Sequence, residues 1–285
     1  MSSRYKFPYT NEELAKKANS ILGEYDTPLT LRQLYYRLVA LGLMNAQKVY
    51  KNLSKKLSRL REQGFVPWNR IIDLQRQPKK KSSWANPKEF FETVGGAYRR
   101  DLQQGQEKYI EVWCEKAVAI SRITNKYDVR LLAGGGYRSS SALYEASERF
   151  NDADDKSIVI IYLGDFDPSG LDIERDIEDR MMDIFGIRVD VQRILLTFQD
   201  IKDYKLLPSP VKKKDSRTPA YVARYGIRAA YELDALPPNI LAKRLEKAIC
   251  ENMDIKLYEE QLAKSEVEEE QIARLIADQE IDESY

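Results

Sequence analysis

The feature that most constrains the fold of this 285-residue chain is an apolar run that ends in two aspartates. Residues 158–163 read Ile-Val-Ile-Ile-Tyr-Leu, and residues 164–170 continue as Gly-Asp-Phe-Asp-Pro-Ser-Gly. An uninterrupted run of β-branched and apolar residues is typical of a parallel strand that is buried on both faces. A helical pattern follows at residues 171–185. The sequence therefore predicts a strand–turn–helix unit with Asp165 and Asp167 at the strand's carboxyl end, where open α/β sheets bind ligands.

Similar strand–helix pairs surround this unit. Strands are predicted at residues 109–113, 129–132, 158–163 and 189–195, and helices at residues 88–104, 115–125, 140–150, 171–185, 218–228 and 239–250. Alternation of this period predicts the α/β class, with a mainly parallel sheet flanked by helices. Glu115, the glycine run at 134–136 and the aspartate pair each follow a strand, so we expect them at one edge of that sheet.

The acids at this edge predict a metal site. Residues two apart in an extended chain point the same way, so Asp165 and Asp167 can converge on one cation, and Glu115 can join them. The chain has no histidine, which excludes Ser-His-Asp catalysis and histidine zinc sites. Oxygen ligands alone suit Mg²⁺, with Mn²⁺ as a substitute. An ordinary turn is the alternative interpretation, because aspartate is common in turns.

Charge is unevenly distributed along a chain whose net charge is only +1. Residues 1–85 carry about 17 lysines and arginines against about 6 acids, and residues 251–285 carry about 12 acids against about 3 bases. The basic front end predicts a polyanionic partner, and the acidic tail predicts a solvated helix. Two cysteines, no apolar leader and no long apolar stretch favour a reducing compartment, so we expect a cytoplasmic, nucleoid-associated protein.

The front end has the pattern of a small helical DNA-binding module. Helices are predicted at residues 10–23, 31–40 and 46–63, the last capped by Asn45, and a short hairpin at 65–72. Three helices and a hairpin fit a winged helix-turn-helix whose third helix enters a DNA groove. The bases of that helix are the candidate contacts: Lys48, Lys51, Lys55, Lys56 and Arg59. A basic, merely solvated helix face is the alternative.

Two adjacent tyrosines lie on the second predicted helix. Neighbours on a helix point about 100° apart, so one of Tyr35 and Tyr36 should face the core while the other can face a groove. Arg32 and Arg37 lie alongside them. A tyrosine hydroxyl that attacked phosphorus would form a phosphotyrosyl–DNA link, which preserves the bond energy for resealing. Ordinary packing of both rings is the alternative interpretation.

Taken together, these segments resemble one family. Residues 31–37 (Leu-Arg-Gln-Leu-Tyr-Tyr-Arg) resemble the catalytic-tyrosine helix of the A subunit of type IIB topoisomerases (topoisomerase VI) and of the related meiotic double-strand-break transesterase. Residues 113–116 and 164–170 resemble the two acidic motifs of their Toprim domain. Residues 134–137 resemble the glycine-rich loop of that domain, and residues 213–217 and 232–238 resemble two segments downstream of it. The resemblance covers about residues 28–245, so it is far more specific than any single motif.

The resemblance implies a site and an assembly. Tyr36 would be the nucleophile, with Tyr35 as the alternative, and Arg32 would assist at the phosphate. Glu115, Asp165 and Asp167 would hold Mg²⁺, with Glu115 also counted as catalytic. The candidates for outer-shell contacts are Lys116, Gly136 and Asp172, and the candidate DNA contacts extend to Arg37. A homodimer is implied, in which the tyrosine of one protomer meets the metal site of the other.

The resemblance also implies a division of the chain. The predicted parts are a winged-helix domain (1–80), a linker and helix (81–105), a Toprim domain (106–200), an A-subunit-like extension (201–250) and an acidic helical tail (251–285). The helical pattern starts near residue 10, which leaves little room for the extension that contacts an ATPase B subunit, and no ATPase domain is found. The closest fit is thus a compact, stand-alone protein of the Mini-A type, with a separate ATPase subunit as a candidate partner.

Three functions remain open from the sequence. The first is an Mg²⁺-dependent transesterase that cleaves double-stranded DNA with Tyr36. The second is a Toprim nuclease in which water attacks and Tyr36 only packs. The third is a DNA-binding regulator with a vestigial site, against which the intact set of acids argues.

Overall fold

The computed structural model describes residues 7–72, 82–115, 120–134, 140–153, 155–210 and 215–277. The helices are α1 (Asn11–Gly23), α2 (Leu31–Ala40), α3 (Gln47–Glu62), α4 (Pro87–Ala97), α5 (Ser121–Lys126), α6 (Ser140–Asn151), α7 (Ile173–Phe185), α8 (Phe198–Asp203), α9 (Thr218–Tyr225), α10 (Pro238–Asn252) and α11 (Ile255–Ala277). The strands are β1 (Leu29–Thr30), β2 (Ile71–Ile72), β3 (Lys108–Cys114), β4 (Arg130–Ala133), β5 (Ser157–Leu163), β6 (Val189–Leu195), β7 (Ser209–Pro210) and β8 (Ala229–Ala230). Within these ranges, none of the helices combines the length and apolar character that a bilayer crossing requires.

A four-stranded parallel sheet confirms the predicted α/β class. Its strand order is β4-β3-β5-β6, and all three pairings are parallel. Cys114, the last residue of β3, is opposite Ala133 of β4 and Leu163 of β5. The carboxyl ends of these strands are therefore level, and the residues that follow them meet at one edge.

Strand β5 is buried on both faces, as its apolar run predicts. Ile158, Ile160 and Tyr162 pack with the apolar side chains of α6 and α7 on one face. The alternate residues from Val159 to Leu163 join a larger core on the other face. That larger core includes buried residues of α1, α2, α3 and α10, so it is continuous from the front end of the chain to the sheet.

The first two helices begin where their capping residues predict. Thr10 and Thr30 each accept a hydrogen bond from the third helical residue and complete a capping box. The predicted cap of α3 is wrong. Ala46 occupies the cap position without a side-chain bond, because the Asn45 amide oxygen instead accepts a hydrogen bond from the Tyr35 hydroxyl at 3.1 Å.

Residues 65–72 do not form the predicted hairpin. A short 3₁₀ turn at Trp68–Arg70 leads into β2, which pairs in parallel with β1 across the module. Arg61 explains this path, because its guanidinium donates to the carbonyls of Trp68 and Ile71 at 2.9 and 3.0 Å and lies over the Trp68 ring. The following residues, 73–81, which include the lysines at 79–81, lie outside the described ranges.

Helix α4 ends earlier than predicted, at Ala97 rather than near residue 104. The chain leaves the helix after two glycines, and Tyr98 and Arg100 then bond to Glu268 of α11 at 2.6 and 2.5 Å. Helix α11 confirms the predicted helical tail over Ile255–Ala277, and its first half is anchored by the buried residues Tyr258, Gln261 and Ser265.

Arg149 is expected to contribute strongly to stability, because it neutralises a fully buried acid. Glu111 of β3 is 0% exposed and accepts hydrogen bonds from Arg149 Nε and Nη2 at 2.7 and 3.0 Å. In the Arg149→Met variant, the methionine side chain replaces the apolar stem of the arginine, but the Glu111 carboxylate loses its main counter-charge. We expect the free energy of unfolding to fall by about 3 kcal/mol, measured by urea denaturation. Arg122→Met, at an exposed position of α5, is the matched control, and an effect of Arg149→Met as small as the control's would contradict the expectation.

Candidate functional site

The carboxyl edge of the sheet brings two of the predicted acids together. Backbone hydrogen bonds extend the strand pairing past the strand ends, from Glu115 N to Leu163 O at 2.9 Å and from Gly164 N to Leu195 O at 2.8 Å. Glu115 Oε2 then accepts a hydrogen bond from the backbone N–H of Asp165 at 3.2 Å. The residues after β3 and β5 are thus direct neighbours, as their positions in the sequence predict.

Asp165 is largely buried, at 8% exposure. Its Oδ1 accepts a hydrogen bond from the backbone N–H of Leu233 at 2.8 Å. Asp167 has a different environment, because its Oδ1 accepts from the Ser169 hydroxyl at 3.0 Å and from Gly170 N at 2.5 Å. Asp165 therefore faces a distant part of the chain, while Asp167 closes its own turn.

Residues 164–170, here named the acid turn, depend on a glycine at their last position. A Cβ on Gly170 would collide with the carbonyl oxygen of Asp165 and come within 3.1 Å of Asp167 Oδ1. The glycine at the end of the acid turn is therefore explained by close packing of the backbone inside the turn.

The fit of these acids to Mg²⁺ is partial. Their all-oxygen chemistry suits the ion, which keeps several water ligands. In the part of the chain that the structure describes, however, no three histidine, cysteine or acidic side chains form a group that could hold a metal. Glu115 and Asp165 lie together, whereas the Asp167 carboxylate bonds within the acid turn. The three-carboxylate metal site stays a prediction, and the pair Glu115–Asp165 is its best-formed part.

Arg193 of β6 holds the acid turn in place, a role that sequence reasoning missed. Its side chain is 8% exposed and lies over the Tyr162 ring, 4.8 Å from the centroid. The guanidinium donates to the carbonyls of Gly164, Asp165, Gly170 and Leu196 and pairs with Glu174. An arginine in a largely apolar predicted strand was the available signal, because a buried charge requires specific partners.

Tyr36 of α2 belongs to a polar cluster. Its ring is buried, and Glu232 and Ser209 are close enough to its hydroxyl to influence its pKa. Arg32, one helical turn earlier, donates from Nε to Glu232 at 2.7 Å and lies 3.8 Å from Asp234. Burial, followed by the negative charge of Glu232, raises the pKa of Tyr36 to about 12. We call Arg32, Tyr36, Glu232 and Asp234 the tyrosine cluster.

Tyr35 has a different set of partners, as its position on the helix predicts. Its hydroxyl accepts a hydrogen bond from the backbone N–H of Ala46 at 2.8 Å and donates to Asn45. It therefore fixes the chain where α3 begins. Of the two adjacent tyrosines, Tyr36 alone has its hydroxyl in the tyrosine cluster with Arg32 and Glu232.

One segment, residues 231–236, supplies Glu232 and Asp234 to the tyrosine cluster and also bonds to the acid turn. Tyr231 exchanges two backbone hydrogen bonds with Phe166, at 2.8 and 2.9 Å. Glu232 bonds to Arg32, and the next residue, Leu233, donates its N–H to Asp165. We call residues 231–236 the joining segment. Sequence reasoning quoted Glu232 and Asp234 only as part of a resemblance and gave them no role.

The predicted DNA contacts divide into two groups. Lys48, Lys51, Lys55 and Arg59 are exposed, and their spacing places them on one face of α3. Lys56 is half-buried, donates to Asn11 at 2.9 Å and lies over the Phe7 ring. Arg37 is also half-buried, donates to the Ala235 carbonyl of the joining segment, and has its pKa lowered by burial.

Of the remaining candidates, the structure describes only Asp172. Asp172 is paired with Arg175 at 2.9 Å and with Arg217 at 3.4 Å, which accounts for its carboxylate as part of a surface ion pair. Lys116 and Gly136 lie outside the described residues, as do most of the glycine run and the lysines of residues 211–214.

The sequence matches no protein-family model and no curated protein with which it was compared. Function is therefore inferred from the motifs and from the contacts described above.

Proposed function

We propose that this chain is a Mg²⁺-dependent DNA-cleaving enzyme in which Tyr36 attacks a phosphodiester, as in the A subunit of topoisomerase VI that it resembles. The joining segment carries the proposal. Its adjacent residues Glu232 and Leu233 bond to Arg32 and Asp165 respectively, so one short segment links the helix of the nucleophile to the acid turn. In this reading the helices α1–α3 are a winged-helix-type module, and the sheet with its acid turn is a Toprim domain.

The exposed bases of α3 would bind the DNA backbone and direct a strand toward α2. In the chemical step a bond forms between the Tyr36 oxygen and phosphorus, and the bond from phosphorus to a sugar oxygen breaks. The phenolic proton would pass to the Glu232 carboxylate, whose negative charge lies near the hydroxyl, and the departing sugar oxygen would take a proton from water. The Arg32 guanidinium would then bond to both Glu232 and the DNA, and it would stabilise the negative charge on the phosphate oxygens.

Glu115 and Asp165 would hold the Mg²⁺ ion, whose charge would neutralise the phosphate and stabilise the departing oxygen. Both carboxylates lie at the edge of a rigid parallel sheet, and Arg193 fixes the acid turn behind them. This support keeps the two acids in a constant position while DNA binds.

Tyr36 is closed off from a DNA strand in the described structure. The cavity beside it has a volume of about 90 Å³ and is lined by α2, residues 204–207 and the joining segment. That volume suits several water molecules rather than a nucleotide. Binding of DNA would therefore have to displace one of these walls, and the raised pKa of Tyr36 keeps the hydroxyl protonated until then.

The small cavity beside Tyr36 and the raised pKa of its hydroxyl also favour a second candidate. In this second mechanism water at the acid edge hydrolyses the DNA, and Tyr36 only packs. A plasmid assay separates the two. The protein is incubated with supercoiled DNA and Mg²⁺ or Mn²⁺, the reaction is stopped with detergent, and gels are run with and without proteinase K. Cut DNA that carries protein supports the tyrosine mechanism, and cut DNA free of protein supports hydrolysis. DNA that is bound but never cut would contradict both and leave a DNA-binding regulator.

Glu232→Gln tests the proton acceptor. The amide keeps a hydrogen-bond acceptor near Arg32 but cannot take the phenolic proton, so we expect cleavage at pH 7 to fall by about 100-fold or more. Because Glu232 also raises the pKa of Tyr36, its removal lowers that pKa toward the ordinary value of about 10. The variant's rate should therefore rise with pH and approach the wild-type rate in alkaline buffer. A loss that is the same at every pH would contradict this role.

A further inference from the structure

A second cavity, of about 420 Å³, is lined in part by Phe166 of the acid turn. It is formed between the first half of α7, the start of α8 and the end of α9. Arg193 contributes to its wall, and the same guanidinium bonds to the carbonyl of Asp165. The cavity therefore adjoins the proposed catalytic acids without containing any member of the tyrosine cluster.

Aromatic rings form one wall of this cavity. Phe198 and Tyr225 are both half-buried, with ring centroids 5.4 Å apart. Both rings pack against the buried ring of Phe166, the residue between the two aspartates, at 6.1 and 4.9 Å. The two rings are thus packed against the acid turn, with their planes tilted by 49° to each other.

Cations lie over these rings. Arg224 is exposed and lies over Tyr225 at 5.3 Å, and Lys202 is exposed and lies over Phe198 at 4.2 Å. Arg224 forms no ion pair with another residue that the structure describes. A cation–π contact at an exposed site is weak, so a long side chain can exchange it for a stronger charged partner.

We propose that this cavity binds one nucleotide, with its base stacked on Tyr225 beside Phe198 and its phosphate on Arg224. Every base has a flat face that stacks on aromatic rings, and arginine binds phosphate oxygens in a bidentate manner. On arrival of the nucleotide, Arg224 leaves the ring face of Tyr225 and binds the phosphate. Glu178, also exposed at the cavity wall, is placed to accept a hydrogen bond from a base amino group. The source of the nucleotide rests on the proposed function: it would belong to a DNA strand beside the cleaved bond.

The test is a binding measurement without Mg²⁺, so that no cleavage is needed. Deoxycytidine monophosphate and a trinucleotide of deoxycytidine are titrated separately by calorimetry into wild-type protein and into Arg224→Ala, Tyr225→Leu and Tyr225→Phe. We expect the first two variants to raise Kd by about tenfold and Tyr225→Phe, which keeps the ring, to change it less than about twofold. Arg228→Ala, an exposed arginine outside the cavity, is the matched control and should bind like wild type. Preference for the trinucleotide indicates a strand as the source, and equal affinity indicates a free nucleotide.

A second measurement locates the ligand directly. An oligonucleotide with one 5-iodouracil is photocrosslinked, and the modified peptide is expected to contain Phe198 or Tyr225. Wild-type protein that binds neither ligand, or variants that all bind equally with crosslinks confined to α3, would overturn the proposal. If DNA is cleaved through Tyr36 while the cavity variants bind normally, this proposal fails and the cleavage function stands. If binding depends on the cavity but no DNA is ever cut, the nucleotide site stands and the cleavage function fails.

Discussion

Replacement of Tyr36 by phenylalanine is expected to abolish the covalent protein–DNA adduct and to lower cleavage by at least about 10³-fold, as removal of a nucleophile does in other covalent enzymes. Phenylalanine fills the same buried space and removes only the hydroxyl that lies near Glu232 and Ser209. The loss should therefore appear with DNA binding and thermal stability close to those of wild type. Cleavage is measured on supercoiled plasmid, and the adduct by retention of labelled DNA on protein after denaturation.

Tyr35→Phe is the matched control because it makes the same change on the adjacent residue. The Tyr35 hydroxyl accepts from Ala46 N and bonds to Asn45, so its loss should cost about 1–2 kcal/mol of stability at the start of α3. The adduct should still form. An adduct that survives in Tyr36→Phe and disappears in Tyr35→Phe would reverse the assignment. Cleavage that survives in both variants would leave water as the nucleophile.

Asp165→Asn is expected to remove metal-dependent cleavage while DNA binding is retained. The asparagine oxygen can still accept the hydrogen bond from Leu233 N, so the joining segment keeps its contact. What is lost is the negative charge beside Glu115 that would hold Mg²⁺. Loss of a metal's stabilisation of the phosphate amounts to several kcal/mol, so the rate should fall by about 10³-fold. The rate is measured over a range of Mg²⁺ concentrations, and binding by fluorescence anisotropy of labelled duplex DNA.

Asp190→Asn provides the comparison for this variant, because Asp190 is an exposed acid on the neighbouring strand β6 and far from the acid turn in sequence. It should cleave like wild type. Cleavage by Asp165→Asn at the wild-type rate, with the same Mg²⁺ dependence, would show that the acid edge is not the metal site.

The parts of the fold that were predictable are those decided by local pattern. The run at 158–163 has no polar residue, so it could only be buried on both faces, and the sheet places it between β3 and β6. Capping residues also act locally, which is why the starts of α1 and α2 were correct. The same local patterns predicted that Glu115 and Asp165 would lie at one edge of the sheet.

The errors arose where a distant partner competes with the local signal. Asn45 is a good helix cap in isolation, but the Tyr35 hydroxyl, ten residues away, takes its side-chain oxygen. Residues 65–72 resemble a hairpin until Arg61 and strand β1 provide other partners for their backbone. Neither contact follows from hydrophobic period or turn chemistry.

The arrangement of the candidate site was hardest to predict, because it depends on contacts between residues far apart in sequence. Arg32 bonds to Glu232, 200 residues away, and Asp165 to Leu233, 68 residues away. Arg193 likewise reaches back to the acid turn. The residue types were visible in the sequence, but their convergence on one segment required the packed core between α2, the sheet and α10.

The most direct test of the central claim is to identify the residue that becomes linked to DNA. The cleavage reaction is stopped with denaturant, the DNA is digested with nuclease, and the protein is cleaved with trypsin. Cleavage after Arg32 and Arg37 releases the peptide Gln33–Arg37, and fragment ions distinguish its two tyrosines. The account predicts a nucleotide on Tyr36. Cut DNA with no modified peptide, or with a nucleotide on any other residue, would contradict it.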